Sequence, residues 1–282
     1  MLVALGGLFW LDWWLECCLL ADPHGWPLAI VLAALIVLGM HELSHLAAAS
    51  GVRMLGVSAT AGALLVGLIP FWWQLVDRAY HGPRMGRPLS GFGVLLVLSW
   101  LLIAIFIEQM IGHRARDAFR QSAVTLLAAM YLGLGGAMIL AVRMAYGVPA
   151  LVLLVAAAKF TDIGAYFAGA LWGKHKLIPW LSPAKSWEGL AGGIVAAVGI
   201  SLLVGYLLNL PLGAAYLAVF GVLMAATGQI GDLCESLLKR AGNVKDSGTL
   251  IPEFGGVLDM LDSVLLAAPF AYVALTLMVV HQ

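Results

Sequence analysis

Polar residues are rare along this chain, and they fall at intervals that leave long uninterrupted apolar runs. Reading for runs of about 20 residues bounded by charge, proline or glycine predicts about nine membrane-crossing helices. They lie near 2–20, 28–49, 54–76, 89–112, 122–142, 148–172, 187–208, 212–231 and 257–280. The first run is the weakest, because Asp12 and Glu16 interrupt it, and Trp10, Trp13 and Trp14 suit an interfacial position equally well. The fold class expected is therefore all-α, a polytopic transmembrane helical protein. Residues 1–150 read as a lipid-facing scaffold, and 151–282 as helices whose loops build the chemistry.

Composition supports that reading and excludes others. Across 282 residues, 62% are hydrophobic and 11% charged, with a mean hydropathy of +0.99. Soluble domains carry roughly 25% charged residues, so this chain cannot coat a surface facing water. Its 15 basic and 15 acidic side chains cancel, which argues against a nucleic-acid partner. The three cysteines, Cys17, Cys18 and Cys234, form neither a disulfide framework nor a zinc-ligand spacing. No basic segment precedes the first apolar run, the first Lys or Arg being Arg53, so a cleavable signal peptide is not expected.

Charge position carries more than charge number. Half of all the charges lie between Lys159 and Asp262, and all the lysines between Lys159 and Lys245. The loops with Lys174, Lys176 and Lys185, and with Lys239, Arg240 and Lys245, are separated by two spans and face one side, which the positive-inside rule makes cytoplasmic. The same count places Arg114, Arg116 and Arg120 with them but Arg78, Arg84 and Arg87 outside, so the topology of residues 1–88 is left open. Glycine-rich runs at 133–136 and 189–193 read as close helix packing.

A charge deep in a membrane costs roughly 2.5–3.5 kcal/mol on insertion scales and needs a partner or a purpose. Asp162 lies inside a span one turn after Lys159, Asp232 near the end of another, and Asp259 and Asp262 share a face at the start of the last. Converging carboxylates suit a hard cation such as Mg²⁺; structural ion pairing, Lys159 with Asp162 for example, is the alternative. Ser182-Pro183 and Ser186 both read as helix starts, the second capping the span that follows. Asp232, Ser236 and Lys239 form a stripe, followed by a polar loop, Lys245-Asp246-Ser247-Gly248, and by Pro252, Gly255-Gly256, Asp259 and Asp262.

On these residues the sequence resembles the phosphatidate cytidylyltransferase (CDP-diacylglycerol synthase) family. Its pattern Ser-x-x-Lys-Arg, four residues, Lys-Asp-x-Gly/Ser, then Pro-Gly-His-Gly-Gly-x-x-Asp-Arg-x-Asp is matched at Ser236, Lys239, Arg240, Lys245, Asp246, Pro252, Gly255, Gly256, Asp259 and Asp262. Ser182-Pro183-x-Lys185-Ser186-x-Glu188-Gly189 and Thr161-Asp162 with Ala165-Tyr166 look like further family elements. The resemblance covers about residues 155–265; Glu253-Phe254 stands where the family has Gly-His, and Met260 where it has Arg.

The resemblance implies an enzyme that transfers a cytidylyl group from CTP to phosphatidic acid, releasing pyrophosphate. It implies Asp232, Lys239 and Asp259 as catalytic residues, with Asp232 and Asp259 as ligands of Mg²⁺; a second cation is compatible with the pattern. Asp162, Lys185, Ser186, Glu188, Ser236, Arg240, Lys245, Asp246, Gly255, Gly256 and Asp262 would bind or orient the substrates. CTP, phosphatidic acid and membrane lipid are the partners expected, with a homodimer allowed. The expected location is the cell inner membrane, with the active site on the cytoplasmic side.

One motif competes. His41-Glu42-Leu43-Ser44-His45 is a complete His-Glu-x-x-His, whose imidazoles share a helical face and can bind Zn²⁺ with Glu42 as base. An intramembrane zinc metalloprotease is therefore the alternative function, although no Asp-Gly motif supplies its third ligand. The plainer reading pairs His41, Glu42 and His45 with polar groups of other helices.

Overall fold

In a computed structural model, the described residues are 25–79, 89–112, 115–244, 248 and 256–281. They form α1 (Trp26–Ala49), α2 (Gly56–Gly67), α3 (Ile69–Ala79), α4 (Leu89–Ile111) and α5 (Ala118–Trp172). A two-stranded hairpin follows, β1 (Lys176–Ile178) and β2 (Ser182–Ser186), then α6 (Trp187–Leu207), α7 (Ala214–Ala241) and α8 (Val257–His281). The protein is a polytopic helical membrane protein: six described helices are long and apolar enough to cross a bilayer. A bent pair, Gly56–Gly67 with Ile69–Val76, adds a seventh span if its two arms cross together.

α5 explains why this number is smaller than the nine runs. At 55 residues it holds both runs expected near 122–142 and 148–172, and at about 1.5 Å per residue it is far longer than a bilayer is thick. It breaks at Gly147, whose φ of 81° and ψ of −178° lie in a region reserved almost wholly for glycine, and Pro149 follows. The expected run near 2–20 lies outside the described residues.

Chain contacts divide the protein into two compact units. The first comprises Met1–Met144 with Ala241–Val257, the second Ala145–Arg240 with Leu258–Gln282. The division falls within a few residues of the break in α5.

In the first unit, α1 packs on α2 and α2 on α4. Ile36, Met40, Leu55, Leu101 and Ile105, with Leu132 and Leu140 of α5, are buried in this unit. Small residues set the approach: a side chain at Gly133 would strike Val66 and the Ala63 carbonyl of α2. Lipid cannot hydrogen-bond to a polar group, so the protein must do so. Glu108 accepts from the Ser58 N–H at 2.9 Å and its hydroxyl at 2.6 Å, covering the open amides at the start of α2. Thr125 accepts the N–H of Leu55 at 3.1 Å, and the Gln109 amide donates to the Ala118 carbonyl and the Ser122 hydroxyl.

The second unit packs its helices through the same device. A Cβ added at Gly192 would overlap Ala168 of α5, and one at Gly193 would meet the Thr161 carbonyl at 3.0 Å. The expected close packing of the 189–193 run is thus realised. Leu151, Leu154, Ala157, Phe220, Met224, Leu258 and Ala268 form the buried core. Tyr146 and Thr276 hydroxyls meet at 2.6 Å, and Tyr216 donates to the Ala274 carbonyl.

Candidate active site

The second unit gathers charge from every one of its helices. Lys159 projects from α5, inside the apolar stretch, with only 5% of its surface exposed. Its ammonium lies 2.8 Å from the Ser263 hydroxyl, 3.3 Å from Asp162 Oδ2 and 3.9 Å from Asp262 Oδ1. Ser263 completes the network by donating its hydroxyl to Asp162 at 3.2 Å and its N–H to Asp262. The ion pair Lys159–Asp162 is therefore present, and it is one edge of a larger figure joining α5 to the first turns of α8.

α7 supplies the opposite wall. Asp232 and Glu235 stand three residues apart and Lys239 four further on, so all face one side of the helix. Lys239 is 3.2 Å from Glu235 Oε2 and 2.5 Å from Asp259 Oδ1. Carboxylate oxygens of Asp232, Glu235 and Asp262 lie within 4.8 Å of one another. Glu235 is almost wholly buried, and its Oε1 has no hydrogen-bond partner among the described residues.

The hairpin brings a further lysine. Ser182-Pro183 is part of a strand and starts no helix, correcting the sequence expectation; β2 pairs antiparallel with β1, Lys176 opposite Ser186 and Ile178 opposite Ser182. Extended backbone throws alternate side chains to opposite faces, and Lys185 reaches Asp232 Oδ2 at 2.5 Å. Ser186 does begin a helix: its hydroxyl accepts the Gly189 N–H at 3.1 Å, capping α6 as expected. Two residues on, the Glu188 carboxylate accepts the His175 N–H at 3.2 Å and meets its Nδ1 at 2.6 Å. Trp187 donates its N–H to the His175 carbonyl at 2.9 Å, so the two ends of the hairpin are tied together. Arg240 Nε donates to the Leu181 carbonyl at 3.3 Å, holding the hairpin tip against the end of α7.

These elements enclose a pocket of about 450 Å³. Asp162, Lys185, Ser186, Gln229 and Asp232 line its polar side; Ala165, Tyr166, Gly169, Ala170 and Leu190 line the apolar side. The exposed rings of Tyr166 and Phe167 continue the apolar surface. A charged wall facing an apolar wall suits a ligand with a phosphate head and a hydrocarbon body.

Of the residues singled out in the sequence, the fold draws together Asp162, Lys185, Asp232, Lys239, Asp259 and Asp262, with Ser186, Glu188 and Arg240 fastening the hairpin beside them. Ser236 lies half-buried on α7, one turn after Asp232, and Gly256 immediately precedes α8. Lys245, Asp246 and Gly255 lie outside the described residues. Sequence reasoning passed over Glu235, Gln229 and Ser263 and treated Lys159 only as a partner of Asp162. Glu235 was accessible by helical arithmetic, three residues after Asp232 on the same face. Gln229 and Ser263 carry no such signal.

The zinc-protease constellation does not assemble. Glu42 is 1% exposed and accepts the Val257 N–H at 2.8 Å, whereas His41 and His45 are exposed. The residue that would serve as base is committed to a backbone amide.

The chain matches the family model described as "Cytidylyltransferase family" over residues 8–278. It is 32% identical to the phosphatidate cytidylyltransferase of Bacillus subtilis (strain 168) over 262 residues, 88% of this chain and 94% of that protein. It is 34% identical to the phosphatidate cytidylyltransferase of Pseudomonas aeruginosa over 274 residues, 95% of this chain and 90% of that one. Against the phosphatidate cytidylyltransferase of Brucella suis biovar 1, identity is 45% over 127 residues, 45% of this chain and 47% of the relative.

Proposed function

The chain belongs to the cytidylyltransferase family, and we propose that its chemistry is performed by the charged cluster of α5, α7, α8 and the hairpin. The reaction is transfer of the cytidylyl group of CTP to phosphatidate, giving CDP-diacylglycerol and pyrophosphate. A phosphate oxygen of phosphatidate forms a bond to the α-phosphorus of CTP, and the bond from that phosphorus to the β-phosphate oxygen breaks. The attacking oxygen is already anionic, so no strong general base is needed; the barrier lies in bringing polyanions together and in line.

The observation that carries this reading is the imbalance of the cluster. When ionised, Asp162, Asp232, Glu235, Asp259 and Asp262 carry two negative charges more than Lys159, Lys185 and Lys239 neutralise. That excess equals the charge of one Mg²⁺, and oxygen-only donors with one unpartnered buried oxygen on Glu235 fit such an ion. Asp232, Glu235 and Asp262, with Asp259 adjacent on α8, are the residues we assign to hold it. Bound there, Mg²⁺ supplies charge neutralisation for the triphosphate.

The protein's own groups do the rest. Lys185 and Lys239, each already facing a carboxylate, are placed to exchange that partner for a phosphate oxygen, and Arg240 adds charge at the hairpin tip. Glu188 acts through His175 and Ser186 through the start of α6, both setting where Lys185 stands. The resemblance adds Ser236, Lys245, Asp246, Gly255 and Gly256 to the substrate-binding set. The apolar wall around Tyr166 lets acyl chains remain in lipid while CTP arrives from water.

We further place the site on the cytoplasmic face of the cell inner membrane, from the lysines and arginine of 174–185 and 239–245. The test is pyrophosphate release by purified protein with CTP, phosphatidate and Mg²⁺. Release must depend on phosphatidate and fall by roughly 10²–10³-fold in Asp232→Asn. Turnover that survives Asp232→Asn but fails in Glu42→Gln overturns the assignment of the site.

A further inference from the structure

The His41–His45 pair is chemistry that cytidylyl transfer does not use. The two residues are one turn apart on α1, both exposed, and their Nε2 atoms lie 3.3 Å from each other. The rings meet edge to face, with centroids 4.5 Å apart and planes at 70°. We propose that His41 and His45 form a bidentate binding site for a transition-metal cation of the Zn²⁺ class.

The distance is the first argument. A tetrahedral ion with Zn–N bonds of about 2.0–2.1 Å holds two of its ligand atoms about 3.3–3.4 Å apart. The spacing between the two Nε2 atoms is thus that of one tetrahedral edge. Binding requires both imidazoles neutral with their protons on Nδ1, leaving two Nε2 lone pairs for the ion. The alternative at this distance is a single hydrogen bond between the imidazoles, which uses one lone pair and one proton.

Ligand type is the second argument. Imidazole nitrogen selects Zn²⁺, Ni²⁺ or Cu²⁺, whereas the oxygen-only group of the second unit suits Mg²⁺. The two sites therefore take different ions. Position is the third: α1 ends at Ala49 and is followed by Ser50, Gly51 and Arg53, so the pair stands near the polar end of its helix. Because Glu42 accepts the Val257 amide, the site lacks the base that turns this motif into a hydrolase. It binds metal without cleaving peptide bonds, and its remaining coordination positions go to water.

The experiment uses the full chain in detergent with millimolar Mg²⁺ present to fill the oxygen site, and Zn²⁺ titrated against a chromophoric chelator. Wild type is expected to hold a Zn²⁺ equivalent that both His41→Ala and His45→Ala lose. Ser44→Ala, which removes only a hydroxyl donated to the His41 carbonyl, keeps it. Cu²⁺ bound to wild type is expected to show coupling to two nitrogens by electron paramagnetic resonance, reduced in each histidine variant. Equal Zn²⁺ affinity in wild type and both histidine variants overturns the proposal, as does a wild type that retains no Zn²⁺ against Mg²⁺.

Discussion

Both units of this protein bury carboxylates in apolar surroundings, yet they use them differently. In the first unit each of two carboxylates covers a backbone amide: Glu108 takes Ser58 at the start of α2, and Glu42 takes Val257 at the start of α8. A single negative charge at a helix N-terminus stabilises the open N–H groups and meets the helix dipole. In the second unit, Asp232, Glu235 and Asp262 crowd within 4.8 Å, and lysines only partly offset them. Like charges at that distance repel strongly in a low-dielectric medium. A buried carboxylate in a membrane protein is thus no sign of chemistry by itself; several that oppose one another, beside a pocket, are.

The sharpest way to break this comparison is to neutralise one carboxylate in each unit. Asp232→Asn is expected to cut pyrophosphate release by roughly 10²–10³-fold, the scale on which a single charge-stabilising group acts, with little change in thermal midpoint. Lys159→Met is next. It leaves Asp162 and Asp262 without their shared cation, and loss of one partner from a buried network costs about 3–5 kcal/mol. The check is the thermal unfolding midpoint in detergent, and an unchanged midpoint contradicts the network.

Glu108→Gln probes the first unit. Two hydrogen bonds to a charged acceptor weaken, at about 1.5–3 kcal/mol for such bonds, while the turnover rate of the folded fraction is expected to hold. If this variant loses activity with its stability intact, the division between structural and chemical carboxylates fails. Ser186→Ala has the smallest expected effect. Losing the cap on α6 costs about 1 kcal/mol, and a raised KM for CTP is expected because Lys185 stands one residue away.

Much of the fold was legible in the chain. Long apolar runs need no tertiary information to become helices in lipid, because only a helix satisfies its own backbone there; every described run proved helical. What escaped was local. Two runs read apart, near 122–142 and 148–172, share the one helix α5, with the break at Gly147 between them. Ser182-Pro183 signals a helix start, yet the hairpin claimed it, because pairing with Lys176–Ile178 is a contact between segments that no local rule contains. In the site, Asp162, Asp232, Asp259 and Asp262 stood out as charges in apolar context. Gln229 and Ser263 did not, being ordinary in a helix until their neighbours are known.

By itself, then, the sequence determined the solvent, the helical class and the set of costly charges, all of which follow from residue type and short-range periodicity. Only the tertiary structure decided how those charges are shared. It put Glu235 in the metal-sized group, handed Asp259 to Lys239, and turned Lys159 from the partner of one aspartate into the hub between α5 and α8. It also took Glu42 out of its motif by giving it a backbone amide from the far end of the chain. The reason is electrostatic: at low dielectric the energy of a charge depends steeply on distance to every other charge, and distance between helices is what a one-dimensional pattern does not hold.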